Sequence, residues 1–357
     1  MVPRIDQGVE AKNNEGTKHN STPSFKFPRS ILSGATADVY FQRAQTILKK
    51  EGLNPVVTME IFSNGRGILC GVREVLDLLR VVLSRDAEVW AAEEGSVFSP
   101  KQVVLRIRDK YSPFGLYETA ILGILAQCSG WATAARDCVD AAAGIQVVSF
   151  GARHVHPRVA DILDYAAIVG GCITGSTTLG AQLHGLAPSG TMPHALILIF
   201  GDTVKAALAF DRHMPPDVAR VVLVDTFKDE AEESLRVAEA LGDKLYGVRL
   251  DTPAERGRVT ADLVKEVRAR LDLAGFPNVR IIVSGGLTPD RIRYFIEAGA
   301  PVNSFGVGSY VSGARPIDFT GDLKEIEDRP VAKRGRIPGI TPAVGLKKID
   351  LYNEESE

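Results

Sequence analysis

The 357-residue chain is 45% hydrophobic and 24% charged, with a formal net charge of −2. That composition belongs to a globular protein with ample core material, and the near-neutral balance excludes a global basic field for nucleic acid or an anionic membrane. Any anionic ligand must therefore be held by local groups.

The opening 1–25 stretch, rich in Asn, Lys, Glu, Ser and Thr without periodicity, reads as a disordered tail. It carries no apolar signal segment, and no apolar run reaches the length of a membrane span. Cys70, Cys128, Cys138 and Cys172 lack CxxC spacing and sit among apolar residues, so they read as buried free thiols of a cytoplasmic protein, without structural zinc. Residues 26–110 read as an α+β domain. In it, Ala37, Tyr40, Phe41, Ala44, Ile47 and Leu48 share one helical face, and Gly52 supplies the stop. Short β-like runs follow (VVTMEIF, GILCGV, AEVWAAEEGSVF and KQVVLRI), enclosing the helical patch EVLDLLRVVL.

Residues 111–143 are apolar nearly all round and read as a connecting buried helix. Glu118 is out of place there and is expected to pair with an arginine. Beyond Gly144 the grammar changes to alternating strands and helices over 144–320, with near-continuous apolar strands of the parallel, doubly buried kind. Six or seven units favour an irregular α/β barrel over an open sheet, with ALILIF standing as a strand ahead of VVLVDTF. No G-x-G-x-x-G follows the first strand, against a dinucleotide fold. The charged, turn-rich segment 321–357 is expected to return across the N-terminal domain and complete it.

Active sites of such barrels gather at the carboxyl ends of the strands. These ends carry Phe150 and Arg153, then Asp225, then Arg249 and Asp251, then Ser284, Gly285 and Gly286, and finally Gly306 and Gly308. The glycine pair of ends, SGGLTPD and FGVGS, suits a phosphate approached by backbone amides, whereas tight turns alone would explain either one singly. Arg249 and Asp251 alternate on one strand and point the same way, as an anion clamp with a hydroxyl or metal ligand, or as a structural ion pair. His194, alone in its stretch, is by itself more easily a packing residue than a catalyst.

Eight strings in order, TADVYF, SFGARH, TGSTTLGA, SGTMPH, VDTF, GVRLD, IIVSGGL and SFGVGS, resemble nicotinate phosphoribosyltransferase over roughly residues 25–340. The resemblance implies a barrel with an N-terminal α+β domain and transfer of phosphoribosyl from phosphoribosyl pyrophosphate to nicotinate, coupled to ATP. It implies a homodimer with shared sites, in which Phe150 stacks one face of the pyridine ring and the partner's Tyr40 stacks the other. Arg153 and Arg249 would neutralise anionic groups. Asp225 and Asp251 would hold the ribose or Mg²⁺-bound pyrophosphate. Gly285, Gly286, Gly306 and Gly308 would cradle the 5-phosphate, and Ser284 would be a further substrate-binding residue. His194 matches the histidine phosphorylated by ATP, and Thr177 with Arg249 would select the acid over the amide. Quinolinate phosphoribosyltransferase is the rival within the fold; its diacid substrate calls for a denser basic pocket than these strand ends supply. A non-catalytic phosphosugar-binding barrel is the rival of another class.

Overall fold

The computed structural model describes residues 24–352. The N-terminal strands are β1 (Val56–Ser63), β2 (Gly67–Ile68), β3 (Glu88–Ala91), β4 (Val97–Phe98) and β5 (Val103–Lys110). Those of the second half are β6 (Gln146–Ser149), β7 (Arg220–Leu223), β8 (Leu245–Leu250), β9 (Arg280–Val283) and β10 (Ser304–Val307). The chain ends with β11 (Phe319–Ile326), β12 (Arg329–Pro330) and β13 (Lys347–Ile349).

β-branched and apolar residues make β1 and β5 a natural antiparallel pair, with Val56 opposite Lys110 and Ile61 opposite Leu105. The sheet then grows by chain return. β11 pairs with the other side of β1, Ser63 facing Phe319, and β13 pairs with β3, giving the order β12-β11-β1-β5-β3-β13. The first and last parts of the chain thus share one sheet. Of the expected tail, residues 1–23 lie outside the described residues, but Phe25 is buried: its N–H donates to Asp77 Oδ2 at 2.8 Å and its ring meets Tyr165 edge-on.

The helix Glu118–Ala141 spans both halves of the molecule. Its early residues Ile121 and Leu125 join the core under the antiparallel sheet, whereas Trp131, Ala135 and Cys138 join the core around the parallel strands. Small side chains on the second half permit this close approach: Gly130 and Gly170 face backbone at distances no side chain tolerates. All four cysteines are buried and free.

β6 to β10 form a parallel sheet in the order β6-β10-β9-β8-β7. Beyond β6 the segment 172–175 runs alongside it, Ile173 N–H donating to Val147 O at 2.9 Å and Ser149 N–H to Thr174 O at 3.1 Å. ALILIF is not a strand. It lies in a helix, His194–Phe200, begun after Pro193 and ended by Gly201 in the left-handed region. A short apolar run fits either a buried strand or a helix, and here the flanking Pro and Gly decide it. With a helix where the sequence predicts a strand, the parallel sheet has five strands among the described residues. No helix among the described residues is long and apolar enough to cross a membrane.

Candidate active site

The carboxyl ends of β6, β7, β8, β9 and β10 converge, and Arg249 is the centre of what they bring together. Strand alternation sends Arg249 and Asp251 to the same side, and the two are joined, Nη2 to Oδ2, at 3.0 Å. Arg249 also donates from Nε to Ser284 Oγ at 2.9 Å and from Nη1 to Thr191 Oγ1 at 3.1 Å. Ser284 in turn donates to Asp251 Oδ1 at 2.8 Å. The guanidinium carbon sits 4.9 Å from the centre of the Phe150 ring, a cation over an aromatic face. Burial pulls the Arg249 pKa below the ordinary guanidinium value, against the pull of Asp251 and Asp225. The planar fork is therefore locked in place by three partners, with its face turned to an aromatic wall.

His194, the first residue of its helix, donates from Nε2 to Asp225 Oδ2 at 3.0 Å. That hydrogen bond raises the histidine's pKa, with the charges of Asp225 and Asp251 adding to it against partial burial. The Asp225 side chain is only 2% exposed, and its second oxygen, Oδ1, is buried without a hydrogen-bond partner, as is Oγ1 of the next residue, Thr226. An orphaned carboxylate oxygen at a strand end costs free energy unless a ligand completes it.

The glycines divide into two kinds. Gly286 has φ +65° and lies beneath the guanidinium of the exposed Arg258, so a side chain there would be strained and would collide. Gly306 is different: a Cβ there would enter the Phe150 ring, so the space it leaves is filled by that ring. Gly308 lies against the Phe150 carbonyl and the His154 ring, and Gly285 against Asp251. Arg153 is exposed at the mouth, close enough to Arg249 to act on its charge.

Thr177 caps the helix Thr178–Gln182, its Oγ1 accepting from Gly180 N–H at 3.2 Å, which leaves the hydroxyl hydrogen available as a donor. Tyr40 lies elsewhere, 58% exposed on the helix Val39–Lys50, which has no buried residue. Its hydroxyl donates to Asp38 Oδ2 at 3.3 Å, and within one chain it has no hydrogen bond or ring contact to the mouth among the described residues. Among the described residues Glu118 has no salt bridge to an arginine. Its charged neighbours are Asp322 and Asp38, and burial together with these carboxylates pushes its pKa up to about 7.

Three residues escaped sequence reasoning. Thr191, in SGTMPH, was near His194 in sequence but its tie to Arg249 is a long-range contact. Arg258 sits in the loop after β8, where ERGR signals only a charged turn. Asp164, in the apolar helix Ala160–Val169, is fully buried.

Two family models match in tandem: the quinolinate phosphoribosyl transferase N-terminal domain over residues 38–129 and its C-terminal domain over residues 131–322. The chain is similar to the crystal structure of a nicotinate-nucleotide pyrophosphorylase from Pyrococcus furiosus, at 42% identity and TM-score 0.80, covering 88% of this chain and 81% of that one. It is 34% identical over 227 residues to a nicotinate phosphoribosyltransferase of Mycobacterium tuberculosis, covering 62% of this chain and 47% of that protein. It is 29% identical over 252 residues to the human nicotinate-nucleotide pyrophosphorylase (carboxylating), covering 68% of this chain and 75% of that protein. The chain thus spans about half the length of the Mycobacterium relative. Two domain models in the right order, on a parallel barrel whose strand ends carry this cluster, show that the chain belongs to the type II phosphoribosyltransferases, the quinolinate phosphoribosyl transferase family.

Proposed function

We propose that the chain joins nicotinate to phosphoribosyl pyrophosphate, releasing pyrophosphate and leaving nicotinate mononucleotide. The observation that carries this reading is Arg249 held over Phe150 with its charge already balanced by Asp251. A flat wall with one partly compensated cation suits a planar aromatic bearing one carboxylate. A pyridine diacid would ask for more positive charge than this centre offers.

In the reaction the pyridine nitrogen forms a bond to the ribose anomeric carbon as the bond to pyrophosphate breaks, and positive charge builds on the sugar. Asp225 and Asp251 flank the place where that charge would develop, which is where fixed carboxylates lower the barrier. Phe150 orients the ring, so that part of the entropic cost is met before reaction. The SGG turn with Arg258 and Gly308 suits the 5-phosphate, with the turn's backbone amides and a cation available to it. Gly306 serves this scheme by seating Phe150. Thr177, with a hydrogen to donate, favours the acid over the amide.

Mg²⁺ is the cofactor that the reaction class implies. Asp225 Oδ1, buried and without a hydrogen-bond partner, fits it as a hard oxygen donor, and Thr226 Oγ1 of the following residue is likewise unpartnered. When bound, the ion would neutralise the pyrophosphate. Asp251 is already engaged by Arg249 and Ser284, so within this scheme Asp225 is the principal protein ligand.

ATP as co-substrate, with His194 as phosphoryl acceptor, belongs to the same reading; Asp225 orients the ring and supports its charge. So does a homodimer, in which the exposed Tyr40 of the partner subunit would close the second face of the pyridine ring. The alternative substrate is quinolinate, favoured by the exposed Arg153 and Arg258 at the mouth and by the match to the quinolinate phosphoribosyl transferase domains.

One assay separates the two. The protein is incubated with phosphoribosyl pyrophosphate, Mg²⁺ and either acid, with and without ATP. Mononucleotide from nicotinate alone supports the proposal. Mononucleotide from quinolinate with release of carbon dioxide, and none from nicotinate, overturns it.

A further inference from the structure

We propose that Asp164 is a positioning residue for the pyridine substrate: it locks the aromatic wall and the base-selecting loop into one rigid unit. The inference rests on the phosphoribosyl-transfer reading above and extends it to a residue that touches no substrate.

The geometry begins with an acid in an apolar helix. Asp164 is 0% exposed, flanked by the buried Leu163 and Tyr165, and no salt bridge to it is found among the described residues. Its charge is met by donors from two other segments. Ser149, the last residue of β6, donates from Oγ to Asp164 Oδ1 at 2.7 Å. The other oxygen accepts from the backbone N–H of Ser176 at 2.9 Å and of Thr177 at 2.7 Å, with Ser176 Oγ at 3.3 Å.

The residues tied down are the neighbours of the recognition groups. Ser149 immediately precedes Phe150, the wall under Arg249. Thr177 is the residue whose hydroxyl oxygen caps the next helix and whose hydroxyl hydrogen can still donate. The TGSTTLGA string is also explained. A Cβ at Gly175 would lie 2.5 Å from Asp164 Cβ, and one at Gly180 would lie 2.6 Å from it. Both glycines are there so that the loop can wrap the aspartate. A loop whose two glycines and two amides are all committed to one buried carboxylate is built around it.

Charge-assisted bonds to backbone amides are among the stronger ones, and buried donors without an acceptor are costly. Losing the carboxylate should therefore free the loop and the wall together, while the SGG turn on β9 is untouched. The two substrates should respond differently. Asp164→Ala is expected to raise KM for nicotinate by about tenfold or more, with KM for phosphoribosyl pyrophosphate changing by less than about twofold. Asp164→Asn should recover most of the loss. Its amide oxygen accepts from the two N–H groups, and its NH₂ donates to Ser149 Oγ, which can accept.

Should Asp164→Ala not fold, Ser149→Ala carries the test. It cuts only the link to the wall and should raise the nicotinate KM alone. Amide exchange at Ser176 and Thr177 supplies a readout without turnover: faster in Asp164→Ala, near wild type in Asp164→Asn. An equal rise in both KM values in a folded variant overturns the proposal, as do unchanged kinetics or an Asn variant no better than Ala. Wild-type protein inactive on either acid sinks the functional reading instead. The structural part then stands or falls on exchange at those two amides, and unaltered exchange overturns it.

Discussion

His194 and Asp225 share one hydrogen bond, Nε2 to Oδ2 at 3.0 Å, while the other Asp225 oxygen is buried with no protein partner. One carboxylate therefore does two things: it favours the charged form of the histidine, and it holds its other oxygen buried without a hydrogen-bond partner.

Replacing Asp225 by Asn tests the charge behind both features. The asparagine oxygen can still accept from Nε2, but the negative charge that favours the imidazolium is gone, so the imidazole should titrate at lower pH than in the wild type. The sign for stability follows. A histidine with a raised folded pKa stabilises the fold fully below its unfolded pKa, and that contribution fades as pH rises through the folded pKa. Asp225→Asn should remove this dependence. Activity should fall by about 10²–10³-fold, the usual loss when a preorganised charge is removed from a transition state. NMR titration of the ring and steady-state kinetics check both; an unmoved titration would show that Asp225 does not control the histidine.

Arg249→Lys keeps the charge and loses the geometry. An ammonium cannot reach Ser284, Thr191 and Asp251 at once and cannot lie flat over Phe150. Catalytic efficiency toward the pyridine acid should fall by about 10²-fold, with a melting temperature only a few degrees lower, as befits a loss of roughly 1–3 kcal/mol. Activity within a factor of about two of wild type would mean that Arg249 acts as a point charge alone.

How far these relationships can be read from sequence depends on their range. Arg249 and Asp251 are two apart on a strand, so alternation alone puts them on one side. The SGG and FGVGS glycines are visible because strand ends are visible. ALILIF was not legible because a short apolar run lacks a period, and the Pro193 and Gly201 that flank it speak only for its ends. Asp164 was hidden for another reason. An acid in an apolar helix announces a partner without naming it, and its donors come from a strand end and a loop. Glu118 is the opposite case: an acid in an apolar helix suggests an arginine partner, whereas the charges that act on it are those of Asp322 and Asp38.

Gly306 and Gly286 make a matched pair of tests. A methyl group at Gly306 would displace the Phe150 ring, so Gly306→Ala should raise KM for the pyridine acid. At Gly286 the backbone has φ +65° and Arg258 covers the turn, so Gly286→Ala should raise KM for phosphoribosyl pyrophosphate and cost about 1 kcal/mol or more in stability. Each KM is measured at saturating levels of the other substrate. If Gly306→Ala weakens phosphoribosyl pyrophosphate and spares the acid, that glycine belongs to the phosphate cradle after all.

The helix Val72–Val82 offers a stability test away from the mouth. Burial, with help from Asp161, Glu94 and Asp77, pushes the pKa of the half-buried Glu74 up to about 7 from 4.5. Below the unfolded value both states hold the proton and stability is highest. Between that value and about 7 the unfolded chain releases a proton that the folded chain keeps, so stability falls as pH rises. Above the folded value the full penalty applies, about 1–2 kcal/mol once solvent screening of a half-buried group is allowed for. Glu74→Gln removes the titration. Its melting temperature should match wild type near pH 4, exceed it increasingly through neutrality, and level off above pH 8, by about 2–4 °C. Scanning calorimetry of both proteins across that range decides the matter, and parallel curves would mean that Glu74 ionises as freely in the fold as in the unfolded chain.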